Sequence, residues 1–197
     1  FGEGIDIPDI EHVVLFHLPF NDIEFNQMSG RAGRDGRAAQ VHLLYSYGDA
    51  RINESILSAS APSHEQLAAL YRVLCDEAKA ARERGEEGFS CTNAELAEKA
   101  GRAKRSVHLT DSAVSCGISV FKELGFLETR GKSVSRRIFM VEHPAHRDLE
   151  ESVRYREGKD ELTVFEDFKR WALEAGSDEL LARFNRPIVP TDQSLDS

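Results

Sequence analysis

Cysteine is scarce in this chain of 197 residues. Cys75, Cys91 and Cys116 are widely spaced, odd in number and form no C-x-x-C pair. That argues against a disulfide scaffold and against a cysteine zinc site, and it fits a reducing, cytoplasmic setting. Long apolar runs are missing too: none approaches a membrane span, and no signal peptide is visible. Positive charge is in deficit, with 25 Lys and Arg against 34 Asp and Glu and a net charge of -9. A nucleic-acid-binding surface all round is therefore not expected, although a local basic face is compatible with that sum. His143 and His146 stand three apart without a third ligand, so no metal site is expected. There is no internal repeat and no low-complexity segment. What remains is an ordinary soluble balance, 41% hydrophobic and 30% charged, in enough chain for one or two domains.

The most informative stretch is Gln27 to Gly36, which reads QMSGRAGRDG. It interleaves Arg31 and Arg34 with Gly30, Gly33 and Gly36. Glycine lets a backbone turn tightly or approach another group closely, and arginine offers a planar, permanently charged fork that matches phosphate oxygens. Core packing asks for neither. The plain alternative is a surface turn with solvated ion pairs. Around it, Phe1 to Pro8 reads as a loop, and Val13–His17 as a short buried strand ending before Pro19. Asn21 or Asp22 caps a short helix through about Met28, with Ile23, Phe25 and Met28 as anchors. Val41–Tyr45 is a second buried strand. The order fits a piece of an α/β lobe, and two strands alone do not make a stable one. Unpaired strand edges would favour pairing with a second copy as an edge-paired homodimer.

The segment FGEGIDIPDIEHVVLFHLPFNDIEFNQMSGRAGRDG resembles the last two motifs of superfamily 2 helicases, most closely the RecQ type. Phe1 to Pro8 is similar to the family's fifth motif. Gln27 to Arg34 matches its sixth, Q-x-x-G-R-x-G-R, in full. The resemblance covers about the first quarter of the chain. It implies that Arg31 and Arg34 reach the phosphates of ATP from across an interlobe cleft, with Arg34 as the arginine finger. It also implies that Gln27 helps position the loop, that Gly30 belongs to the nucleotide-binding set, that Asp6 faces the ribose or the interlobe contact, and that Gly4 allows close approach to nucleotide or DNA. The cofactors implied are ATP and Mg²⁺ in an intact parent. Neither the loop G-x-x-x-x-G-K-[ST] nor an acidic magnesium motif is present: before Gly131-Lys132-Ser133, the position that needs glycine is Phe126. The expectation is a piece of a longer protein that holds half of a composite ATP site, its partners being a missing N-terminal motor lobe and DNA. The family's usual four-cysteine zinc subdomain is not matched. A zinc-free layout is also similar to the helicase-like tail of RecJ-type single-strand-specific exonucleases, with a nuclease domain upstream. A third reading is a degenerate motor remnant that serves as a protein-interaction module.

Beyond this, Asp49–Ser58 reads as a helix with Ile52, Ile56 and Leu57 inward, and Ser58 to Ser63 as a linker. Ser63 caps a strong helix from His64 to about Arg84. Thr92 caps Asn93–Ala100, stopped by Gly101. Thr110 or Asp111 caps a helix to Leu124, stopped by Gly125. Strands 126–130 and 134–141 follow, joined by Gly131-Lys132-Ser133. Helix, helix and hairpin suggest a winged helix. Between Arg102 and Arg137 there are eight basic and three acidic residues, a net +5 that leaves -14 for the rest. Arg102, Lys104, Arg105, Lys132, Arg136 and Arg137 are the candidate DNA-binding residues. Ser112, Ser115 and Ser119 offer little base readout, so backbone contact is the expected mode, with protein docking as the alternative. An amphipathic helix at Leu162–Ala175, a short helix capped by Ser177 and a tail from Pro187 complete the chain. The expected architecture is an α/β partial RecA-like lobe (1–60), an α+β winged-helix domain (61–143) and C-terminal helices (144–197).

Overall fold

The computed structural model describes residues 10–34, 36–45, 47–131 and 136–184. Gly4, Asp6, Lys132 and the tail from Pro187 lie outside them. The chain divides into two compact units, one taking residues up to Asn53 and again from Thr163, the other Glu54–Leu162. Architecture is mixed α/β, mostly helical, with two small sheets. Among the described residues no helix is long and apolar enough to cross a membrane.

In the first unit, β1 (His12–Leu15) and β2 (Gln40–Leu43) pair in parallel, His12 opposite Gln40 and Leu15 opposite Leu43. Parallel pairing requires a crossover, and α1 (Asp22–Ser29) provides it. Asn21 caps this helix by accepting from the Glu24 amide at 2.9 Å, while the Glu24 carboxylate accepts from the Phe20 amide at 2.7 Å. The strands are shorter than expected and half-covered: Leu15 is buried, but Val14 is 44% exposed and Phe16 74%. Parallel strands bury both faces only when both are covered, and among the described residues one face here is open.

Phe25 is buried, as expected, whereas Ile23 is 61% exposed. Two residues are about 200° of helix, so the two cannot share a face. Phe25 lies against Phe168 and Trp171, with ring centroids 5.8 and 5.7 Å apart. These belong to α6 (Val153–Glu174), a helix that begins nine residues earlier than its amphipathic part suggests. Phe20 meets Phe165, which is fully buried.

Helix α2 (Tyr47–Ser60) corrects two expectations. Ile52 and Ile56 are exposed, and the buried stripe is Ala50, Asn53 and Leu57. Asn53 goes inward because its side-chain amide donates to the Leu18 carbonyl. The supposed linker is packed: α2 runs to Ser60, Ala61 and Pro62 are buried, and a Cβ on Gly158 would lie 2.7 Å from the Ser60 carbonyl oxygen.

In the second unit, α3 (His64–Glu83) and α4 (Asn93–Ala103) each open on a reciprocal capping box, Ser63 with Gln66 and Thr92 with Glu95. Helix α5 (Asp111–Glu123) is capped by Thr110. An antiparallel hairpin follows, β3 (Leu127–Arg130) with β4 (Arg137–Met140). Phe89, between α3 and α4, exchanges both backbone bonds with Ile138 at 3.0 and 2.8 Å, adding a third short rung. Leu67, Leu70, Leu74, Leu96, Val114, Val120, Leu127 and Ile138 form the core. Gly125 ends α5 at φ 74°. Gly101, by contrast, does not end α4. It sits inside the helix, which runs on to Ala103, and a Cβ there would make only ordinary contact with the Val107 carbonyl at 3.5 Å.

Gly117 of α5 faces Leu70 and Leu67, whose Cδ2 atoms would stand 2.7 and 3.0 Å from a Cβ. Gly117→Ala should therefore overpack this contact and cost about 1–3 kcal/mol, read as a lowered urea midpoint.

The start of α6 is held by Glu123. Its carboxylate accepts from the Ser152 hydroxyl at 2.8 Å and from the Val153 amide at 2.7 Å. These bonds, the Ser152 hydroxyl first, pull the Glu123 carboxyl below its ordinary value of 4.5. A depressed carboxyl stabilises the fold above its unfolded pKa and loses that contribution as pH falls through the folded value. Glu123→Gln should thus destabilise the chain near neutral pH. The difference from wild type should shrink below about pH 4.5, as followed by thermal melts across that range.

Candidate functional site

The arginine stretch sits at the C-terminal end of α1. Gly30 closes the helix, its amide donating to the Asn26 carbonyl at 2.8 Å, and the Ser29 hydroxyl donates back to Phe25 at 2.7 Å. The chain then turns: Ala32 donates to Ser29 at 3.0 Å and Gly36 to Gly33 at 3.0 Å. Gly33 has φ 67°, and a Cβ there would lie 2.9 Å from the Arg37 carbonyl oxygen. Its amide donates to the Ile10 carbonyl at 3.1 Å, tying the turn to the residues that enter β1. Gly33 is therefore required for both conformation and space.

This turn brings Gln27, Gly30, Arg31 and Arg34 into eight consecutive residues on the outside of one helix end. Arg31 is half-buried, and Gln27, Gly30 and Arg34 are exposed. Two guanidinium groups on a short, doubly tied turn can meet an anion with several oxygens, and arginine suits that geometry better than lysine. Among the described residues there is no cluster of three His, Cys, Asp or Glu able to hold a metal ion. Sequence reasoning missed what supports the helix beneath the turn. Phe25, one turn before Ser29, is covered by Phe168 and Trp171, and no local signal links residues so far apart.

The basic residues of the second unit are more occupied than their count suggests. Arg102 pairs with Glu98 at 2.6 Å and Lys104 with Glu65 at 2.5 Å. Arg137 donates to the Gly88 carbonyl at 3.2 Å and lies 4.0 Å from Glu86. Arg136 is half-buried and donates to Asn93 at 2.8 Å; burial lowers its pKa from the ordinary value. Arg105 is exposed and has no ion pair among the described residues. Exposed pairs such as those of Arg102 and Lys104 are weak and exchange readily for another anion. Arg136 instead braces β4 against the start of α4.

Residues 1–36 match the family described as the helicase conserved C-terminal domain. The chain is 43% identical over 74 residues to the probable ATP-dependent DNA helicase RecS of Bacillus subtilis, covering 38% of this chain and 15% of that protein. It is 49% identical over 49 residues to the RecQ-like DNA helicase BLM of Xenopus laevis, covering 25% and 4%. Against a putative ATP-dependent DNA helicase Q1 of Caenorhabditis elegans, identity is 33% over 89 residues, 45% of this chain and 14% of the other. The chain thus spans under a sixth of the length of each of these relatives. No solved structure matches.

Proposed function

We propose that this chain, which contains a C-terminal part of a superfamily 2, RecQ-like DNA helicase, serves an ATP-driven DNA motor of repair or recombination in two ways. Its arginine turn completes the ATP site, and its second unit is a winged helix that holds DNA. The observation that carries the first reading is the fixed turn from Gly30 to Gly36, which presents Arg31 and Arg34 at one helix end. During phosphoryl transfer, charge spreads over the moving group, and a positioned arginine stabilises it. Arg34 acts as the finger and Arg31 as the second phosphate contact, with Gln27 and Gly30 holding the loop. The present residues fit this contributing role only. The phosphate cradle and the carboxylates that hold magnesium belong to another lobe.

The winged-helix reading rests on the order α3, Phe89 rung, α4, α5 and hairpin around one core. Its contacts to DNA are phosphate contacts, made by Arg105 and by Arg102 and Lys104 once they exchange their surface pairs. Binding of the chain to duplex or single-stranded DNA should fall steeply with salt, and Arg105→Ala should lower the slope of log affinity against log salt by about one phosphate. Salt-insensitive binding, or none, would favour protein docking instead. The internal pairing of Arg102, Lys104, Arg136 and Arg137 is the observation on that side.

A further inference from the structure

Within the second unit, α2, α5 and α6 enclose an open groove of about 690 Å³. Ser55 and Ser60 line it from α2, Ser112, Ser115 and Ser119 from α5, and Arg154 from α6. No carboxylate lines it, in a chain where acids outnumber bases by nine. Three of the hydroxyls lie along one face of α5, and two come from α2. Among the described residues those of Ser55, Ser112 and Ser115 have no hydrogen-bond partner, while Ser60 and Ser119 donate to carbonyls of their own helices at 2.9 Å each. Arg154 is exposed and makes no ion pair among the described residues. Its acidic neighbour Glu123 accepts from Ser152 and Val153 and also interacts with Arg154 through the Arg154 backbone amide and by charge, without forming a side-chain ion pair among the described residues.

We propose that this groove holds the sugar–phosphate backbone of a single DNA strand, with Arg154 on one phosphate and the serine hydroxyls on its neighbours. The proposal rests on the DNA-binding reading above and names the strand and the path. Hydroxyls and a guanidinium without carboxylates are the donor set that phosphate oxygens require. From Thr110 to Ser119 the groove follows α5 for roughly 14 Å at 1.5 Å per residue, room for more than one phosphate. A duplex is disfavoured because a recognition helix must project to enter a major groove. Here α2 is pinned against α5, the Cys116 thiol donating to the Ser60 carbonyl at 3.1 Å. The lining includes no aromatic side chain, so bases are not stacked and sequence preference is weak.

Fluorescence anisotropy of the full chain with labelled oligo-dT, and with a duplex of matched length, tests this. Arg154→Ala should weaken oligo-dT binding about tenfold at low salt and reduce the salt slope by about 0.7. Arg154→Lys should keep most of both, and Ser115→Asp should weaken binding by like-charge repulsion. Duplex binding should change little. Unchanged oligo-dT affinity and slope in both disruptive variants, while Arg105→Ala still weakens binding, overturns the groove and leaves the DNA-binding reading intact. Equal losses for duplex and single strand overturn the single-strand assignment. No binding of either DNA by the wild-type chain overturns both.

Discussion

Arg34→Ala in the full-length protein is expected to lower DNA-stimulated ATP turnover by roughly 10³-fold or more, the scale of a lost arginine finger. Nucleotide affinity should change far less, because the charge that Arg34 meets develops in the transition state. Arg34→Lys should not restore the rate, since a point charge cannot bridge two oxygens as a planar fork does. Arg31→Ala should cost less than Arg34→Ala, as Arg31 is half-buried in the turn and Arg34 is the exposed group. Steady-state kinetics with a separate measurement of nucleotide binding distinguish these cases. Turnover indifferent to Arg34→Ala would remove the finger assignment altogether.

Phe168→Ala should be strongly disruptive in the first unit. The ring is buried and in contact with Phe25 and Trp171. Truncating a buried phenylalanine costs about 3–5 kcal/mol, part lost transfer energy and part cavity. The cost falls beneath α1, the helix whose end carries the arginines. Unfolding of the first unit should therefore move to lower denaturant. At temperatures where the variant remains folded, ATP turnover should also fall through a loosened Arg34. Thermal melts and turnover measured on the same preparation check this. A stability loss without any effect on turnover would mean that the turn is held by its own backbone bonds alone.

What was legible in the sequence was local. Asn21, Ser63, Thr92 and Thr110 each cap the helix that their position suggests, because a cap is a bond between residues three apart. Gly125 stops α5 because its positive φ is a property of that one residue. The arginine spacing was legible for the same reason, and the conformation of Gly33 is set beside Arg37, although its bond to Ile10 is not local. Errors arose where a distant partner decides. Ile52 and Ile56 look like anchors until Asn53 is seen bonding to Leu18 from the same helix. Ser58 to Ser63 has loop composition, yet Gly158 of α6 makes space for it. The eight basic residues could be counted in advance, but not that Glu65, Glu98 and Asn93 engage several of them.

The aromatic contact between α1 and α6 also bears on the order in which the molecule can assemble. Phe25 waits for Phe168, and everything from Glu54 to Leu162 must be synthesised between them. Closing so long a loop costs chain entropy, and contacts of that separation form late. The second unit is continuous in sequence, so it can fold once the first part of α6, which contributes Tyr155 to its core, has left the ribosome. The first unit exposes Phe25 until α6 follows. An emerging chain therefore passes through a stage in which one half is finished while the arginine-bearing half is still an open, sticky intermediate.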